Sequence, residues 1–187
     1  FLEKCSCREH LEEVGYEVVS DSVFSKISDT CTPQGVLCVL KQFHYNIEEM
    51  LRDKAPLFLI LENIQDPGNL GTMLRTGEGA GVSGIIMSRD TVDLYNPKVI
   101  RSTMGSIYRV PFYYADDFAA AVHQVQQAGV SVYAAHLRGK NSYACQDYTK
   151  GTAFLIGNEG NGLREETAEL ADCYIRIPME GKVESLN

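Results

Sequence analysis

With 187 residues and a mass of 20.7 kDa, the chain is the size of one domain with an appendage. Hydrophobic residues at 44%, charged residues at 22%, 16 glycines and 6 prolines exclude a disordered, low-complexity or collagen-like chain. The net charge of −8, from 17 basic and 25 acidic residues, argues against non-specific binding driven by bulk charge and leaves room for a local basic patch. The longest apolar runs, residues 35–40 and 57–61, fall far short of the roughly 20 residues that cross a bilayer. Cys5, Cys7, Cys31, Cys38, Cys145 and Cys173 form no CxxC pair and have no histidine at ligand spacing, so they read as reduced thiols of a cytoplasmic protein and not as a metal site. The chain opens at Phe1 and stops at Asn187 directly after a motif-like stretch, so both natural ends, and any signal peptide, are expected to lie beyond it.

In chain order, residues 1–15 read as helical or irregular, residues 16–19 and 21–28 follow, and residues 35–40 are an apolar strand candidate. One good strand cannot close a core, so residues 1–45 are expected to be the remnant of a small preceding domain. The charged stretch 46–55, with Glu48, Glu49, Arg52, Asp53 and Lys54, reads as a solvated linker or short helix. From Pro56 strands alternate with helices, the pattern of an α/β fold with a parallel sheet. The strand candidates are residues 57–61, 84–87, 130–134, 153–156 and 173–177. The helix candidates are residues 70–80, 97–104, 116–128 and 164–171, punctuated by Gly81 and Gly129.

Three segments carry chemistry. In residues 61–76, LENIQDPGNLGTMLRT, an apolar strand enters a polar turn, and Asn69 is placed to cap a helix with Leu70, Met73, Leu74 and Gly77 on its apolar face. Asn69 and Arg75 would then lie near the carboxyl ends of the strands, where open α/β sheets bind ligands. Alone, the segment reads more simply as a cap and a surface arginine. Residues 154–166, FLIGNEGNGLREE, place Gly157, Gly160 and Gly162 between strand and helix, where a backbone can approach a ligand. The spacing GxxGxG is not the dinucleotide fingerprint, and Glu159 would repel a pyrophosphate, so the loop suits a ligand without phosphates or a cationic one. Residues 175–187, IRIPMEGKVESLN, break at Pro178, turn at Gly181 and end in Ser-Leu-Asn, which alone reads as a turn and a serine cap.

In this order the three segments resemble the SpoU/TrmH family of RNA ribose 2′-O-methyltransferases of the SPOUT class, over residues 56–187. Residues 28–42, including Thr32-Pro33-Gln34-Gly35, resemble the end of the ribosomal-protein-like RNA-binding domain that many members carry in front. The resemblance implies a parallel sheet flanked by helices with a C-terminal trefoil knot, preceded by the remnant of that small α+β domain. It implies S-adenosylmethionine as cofactor, structured RNA (rRNA, otherwise tRNA) as partner, and a homodimer. Asn69 and Arg75 match the family's first-motif catalytic pair, Glu159 the acidic residue of the second, and Ser185 and Asn187 the polar pair of the third. Leu155, Gly157, Asn158, Gly162, Ile177, Met179 and Leu186 match the cofactor-holding positions. Members continue past Ser-Leu-Asn with a helix that completes the knot, and here the chain stops.

The chemistry asks for positioning and charge control, since a ribose hydroxyl must lose its proton while it takes a methyl group. His10, His44, His123 and His136 all fall outside the motifs, so no conventional base stands out. Arg75 is expected to hold a phosphate and the developing alkoxide, with Glu159 and Asn187 fixing it. Lys98 and Arg101, on one helical face, are expected to extend a basic strip for RNA. Two rival readings stand beside this one: a Rossmann-type nucleotide enzyme, whose fingerprint is missing after the first strand, and an RNA-binding module without turnover. A hydrolase is weaker, because residues 81–85 miss the GxSxG elbow by one residue.

Overall fold

The chain divides into two compact units, residues 1–43 and 44–187, of which the computed structural model describes residues 8–183. In the first unit, α1 spans Arg8–Val14 and α2 spans Asp21–Ile27, whose amide at Val23 is capped by the Ser20 hydroxyl. The strand expected at residues 35–40 does not form. Val36, Leu37, Val39 and Leu40 are exposed, and a lone apolar segment has no neighbouring strand in its unit, among the described residues, to take up its backbone groups.

The second unit begins earlier than Pro56. Asn46 caps a short helix, α3 (Ile47–Met50), through its side-chain oxygen on the Glu48 amide at 3.0 Å. Its acidic side chains face water, while Ile47 and Met50 are buried in the core with Phe58, Ile60, Val122 and Val125. The stretch read as a linker is thus partly structural: two apolar residues spaced three apart outweigh the charges between them. Met50 packs where Gly84 leaves room, its Cε only 2.1 Å from the position a Cβ on that glycine would occupy.

Seven parallel strands follow: β1 (Leu57–Leu61), β2 (Gly84–Ser88), β3 (Phe112–Ala115), β4 (Ser131–Ala135), β5 (Asn141–Ser142), β6 (Thr152–Ile156) and β7 (Cys173–Arg176). They form one sheet in the order β3-β2-β1-β6-β4-β7-β5. The five expected strands form within a residue or two of their expected bounds. The edge strands β3 and β5 were not expected, being four and two residues long. Strand β6 inserts between β1 and β4, with Leu61 opposite Ile156 and Ala134 opposite Leu155. The carboxyl ends of the first and sixth strands are therefore neighbours.

Both faces of the sheet are covered. On one, α6 (Phe118–Gln127), begun by Asp117 rather than Asp116, buries Ala121, Val122 and Val125 against Phe58, Ile60, Ile86, Val132 and Leu155. On the other, α4 (Pro67–Ala80) buries Leu70, Leu74 and Gly77, the last beside Leu59. Helix α4 starts a turn earlier than Asn69. Pro67 takes its first position, and Asp66 accepts the Asn69 amide at 2.7 Å, so Asn69 is a first-turn residue and not the cap. Helix α5 (Pro97–Ser102) crosses α4 at Gly71, where a Cβ would come within 1.8 Å of Ser102 Oγ. It ends short of the expected Met104 because Met104 (φ 51°) and Gly105 (φ 91°) turn left-handed. Helix α7 (Glu165–Ala168) is one turn.

If residues 44–55 belong to the body, Met50→Ala should lower unfolding free energy by about 2 kcal/mol or more, the usual cost of emptying a buried methionine site. Glu49→Ala, on the exposed side of the same turn, should change it by less than about 0.5 kcal/mol. Urea unfolding of both variants checks the pair.

Candidate active site

The loops that leave β1 and β6 meet at the carboxyl edge. Residues 157–163 fold back tightly: Asn158 and Gly162 exchange backbone hydrogen bonds of 3.0 and 2.9 Å, and Gly162 adopts a φ of 70°. The Asn158 side-chain oxygen accepts from the amides of Gly160 and Asn161, both at 3.0 Å. Gly157 lies beneath this turn, and a Cβ there would come within 2.2 to 2.4 Å of the backbone of Gly162 and Leu163.

The turn is tied to the first motif. Asn158 Nδ2 donates to the carbonyl of Asn63 at 2.8 Å; Asn63 itself holds a left-handed backbone at φ 53°. Glu159 accepts from the amides of Asp66 (3.0 Å) and Gln65 (3.1 Å) and from Asn69 Nδ2 (3.3 Å). Burial pushes the Glu159 carboxyl up, but the amides of Asp66, Glu159 itself and Gln65, with the Asn69 amide, together hold it below the usual carboxylate range. The structure thus brings Asn69, Asn158 and Glu159 into one network.

It does not bring Arg75 there. Arg75 is exposed and has no hydrogen bond or ion pair among the described residues, so Glu159 does not fix it as expected; its carboxylate is already filled by the loop after β1. Lys98 and Arg101 are exposed on α5, the helix packed against the one that carries Arg75. Leu155, expected at the cofactor, is fully buried and paired on both sides, to Ile60 and Ala134, and belongs to the core. Gly162 is exposed, Ile177 is 51% exposed just past β7, and Met179 is half-buried. Ser185, Leu186 and Asn187 lie outside the described residues.

Several residues at this edge carried no expectation. Glu62 is 1% exposed and accepts from the Arg164 amide at 2.8 Å, from Arg164 Nη1 at 3.4 Å and from the Thr167 hydroxyl. Arg164 also pairs with Asp90, which accepts from Ser88 Oγ at 2.5 Å. Burial raises the Asp90 carboxyl, and the bonds from Ser88 and Arg164 outweigh it and hold the group low. The only sequence signal was a charge directly after a five-residue apolar strand. Past β4, the His136 amide donates to Ile175 at 3.0 Å, and Leu137 is 62% exposed, beside the end of β7 where Ile177 emerges.

These residues fit a cationic cofactor without phosphates. The amides of Asn158, Gly160, Asn161 and Gly162 are all used within the loop, so it offers no anion-binding nest, while exposed apolar side chains stand at the ends of adjacent strands. A phosphate-cradling nucleotide site does not fit. Among the described residues no group of His, Cys, Asp or Glu could hold a metal ion, and no helix is long and apolar enough to cross a membrane.

The model of the SpoU rRNA Methylase family matches residues 56–187, and the chain belongs to this family. It is similar to the 23S rRNA (guanosine(2553)-2′-O)-methyltransferase RlmP of Bacillus subtilis, 33% identical over 170 residues, covering 91% of this chain and 66% of the relative. It is also similar to the 23S rRNA (guanosine-2′-O-)-methyltransferase RlmB of Neisseria meningitidis, 32% identical over 165 residues, 86% of this chain and 66% of the relative. The AdoMet-bound rRNA methyltransferase of Sinorhizobium meliloti shares the fold at a TM-score of 0.80 and 35% identity, over 90% of this chain and 64% of that one. The chain thus spans less than two thirds of the length of each of these proteins.

One ion pair on α4 yields a pH test. Hydrogen bonds from Arg109, then Ser106, pull the Glu78 carboxyl from its ordinary 4.5 to about 2. The unfolded chain takes up the proton first, so this contribution to stability is complete above pH 4.5 and disappears as pH falls toward about 2. Glu78→Gln should flatten the stability-against-pH curve within that window and leave its shape above it unchanged, as measured by denaturant unfolding at a series of pH values.

Proposed function

We propose that this chain carries the body of an S-adenosylmethionine-dependent RNA methyltransferase that methylates a ribose 2′-hydroxyl in structured RNA, rRNA in the first place and tRNA otherwise. The observation that carries the reading is the network joining Asn69, Asn158 and Glu159, which orders a glycine loop at the carboxyl edge while consuming the amides a phosphate would need. Family membership and the activities of the similar proteins support it.

Gly157, Asn158, Gly162, Ile177 and Met179 are the described residues assigned to the cofactor, and the motif resemblance adds Leu186. Bound S-adenosylmethionine supplies an electrophilic methyl group. With that cofactor bound, the ribose 2′-oxygen would take the methyl group as the sulfonium–carbon bond breaks, the electron pair staying on sulfur to leave S-adenosylhomocysteine, and the hydroxyl proton would pass to water, since a guanidinium stays protonated and is no base. Arg75 holds the adjacent phosphate and the charge that develops on the oxygen. Glu159 and Asn69 act by keeping the loop in place, and Ser185 and Asn187 are assigned to the reaction on the motif resemblance alone. Arg75, Lys98 and Arg101 form the basic strip that meets RNA. The reading further includes a homodimer, a C-terminal trefoil knot, a cytoplasmic setting, and residues 1–45 as the end of a small RNA-binding domain.

Arg75→Ala should leave S-adenosylmethionine affinity within a few-fold and slow methyl transfer by about 100-fold or more, with little rescue by Arg75→Lys, whose point charge cannot reproduce the planar fork. Loss of cofactor binding in either variant, or near-full activity of the lysine form, removes Arg75 from the reaction. Gly157→Ala should abolish cofactor binding, because its Cβ would displace the 162–163 backbone; calorimetric titration reads this directly, and unchanged affinity would move the cofactor elsewhere.

A further inference from the structure

Glu62 is the buried charge at this edge that the proposed chemistry does not use. Among the described residues, all the side-chain acceptor bonds it makes run to one short segment: the Arg164 amide (2.8 Å), Arg164 Nη1 (3.4 Å) and the Thr167 hydroxyl. That segment is where the chain leaves the glycine loop and enters α7. The backbone of Glu62 is itself pinned, its amide donating to Ile156 at 2.9 Å, one residue before Gly157. The carboxylate therefore measures a fixed distance from the start of the loop to its exit. A buried carboxylate is retained only when its lone pairs are filled, and here residues 164 and 167 fill them. Arg164 supplies no side-chain cap to α7, so Glu62, from another strand, takes up the amide at the head of that helix.

We infer that Glu62 is a positioning residue for the cofactor loop: by anchoring Arg164 and Thr167 it holds residues 157–163 in the path that packs the 162–163 backbone against Gly157. This rests on the cofactor site proposed above. Arg164 extends the anchor to Asp90, two residues past β2, so the segments that follow β1, β2 and β6 share one brace.

The test uses the whole chain and two readouts, hydrogen exchange of individual amides and calorimetric titration with S-adenosylmethionine. Glu62→Gln removes the charge and keeps the shape; Thr167→Val removes one donor and is nearly isosteric. In Glu62→Gln the amides of residues 160–168 should exchange faster while β1 and β6 stay protected, and the dissociation constant should rise by about tenfold, as expected when a hydrogen bond loses its charged partner. Thr167→Val should shift both readouts in the same direction by less. Unchanged exchange at 160–168 with affinity within twofold of the parent chain overturns the inference. If Glu62→Gln does not fold, Thr167→Val decides on the same two readouts. If the parent chain fails to bind S-adenosylmethionine, the site reading falls; the exchange readout still judges Glu62, faster loop exchange supporting its role as an anchor and unchanged exchange refuting it.

Discussion

Because β6 pairs with β1 so that Leu61 lies opposite Ile156, the loops leaving the two strands run side by side, and each sends a carboxylate into the other. Glu159 crosses from the sixth strand's loop to the amides of Gln65 and Asp66; Glu62 crosses back to Arg164 and Thr167. Each carboxylate meets backbone donors that a loop would otherwise leave to water. Two chain segments roughly a hundred residues apart are thereby joined at one edge, where charge-assisted hydrogen bonds stand beside the buried side chains of Leu61, Ile64 and Leu163.

The same pairing dictates what the edge can accept. A glycine loop at the head of a helix ordinarily offers free amides to an anion. Here Asn158 satisfies Gly160 and Asn161 with one oxygen, and the Asn158–Gly162 bridge uses two more amides. The glycines serve close backbone approach instead: Gly157 lies so near the 162–163 peptide that any side chain is excluded. On the neighbouring helix pair, Gly71 does the same, letting Ser102 Oγ reach the Pro67 carbonyl at 3.1 Å and locking α5 onto the start of α4.

Much of this was legible in the sequence because it is local. Apolar runs after Pro56 place the central strands, and the motif strings place Asn69, Gly157 and Glu159 at their ends. Other parts depend on long-range contacts that periodicity does not record. The bond from Asn158 to Asn63 spans 95 residues, and nothing in either segment alone announces it. The start of α4 was misplaced because Asp66 and Asn69 are both good caps, and Pro67 at the first helical position decides between them. Strand β3 follows Pro111 and is only four residues long, so its aromatic pattern became visible only through its register with Ile85 to Ser88. The role of Glu62 was hidden because its partners come from another strand's loop.

The charge pattern on α4 separates Arg75 from the four arginines that form ion pairs among the described residues. In a chain of net charge −8, Arg89, Arg109, Arg138 and Arg164 are each matched by a carboxylate: Asp116, Glu78, Glu165 and Asp90. Arg75 has an acidic neighbour of its own, because Glu78 sits three residues further along the helix, where opposite charges ordinarily meet. That carboxylate is already occupied on both oxygens: Arg109 donates to each, and Ser106 donates to the second at 2.5 Å. The segment after α5 thereby removes the local partner that would neutralise Arg75. An arginine with no partner among the described residues keeps its planar fork for an outside anion, and a phosphate offers the geometry that fork matches.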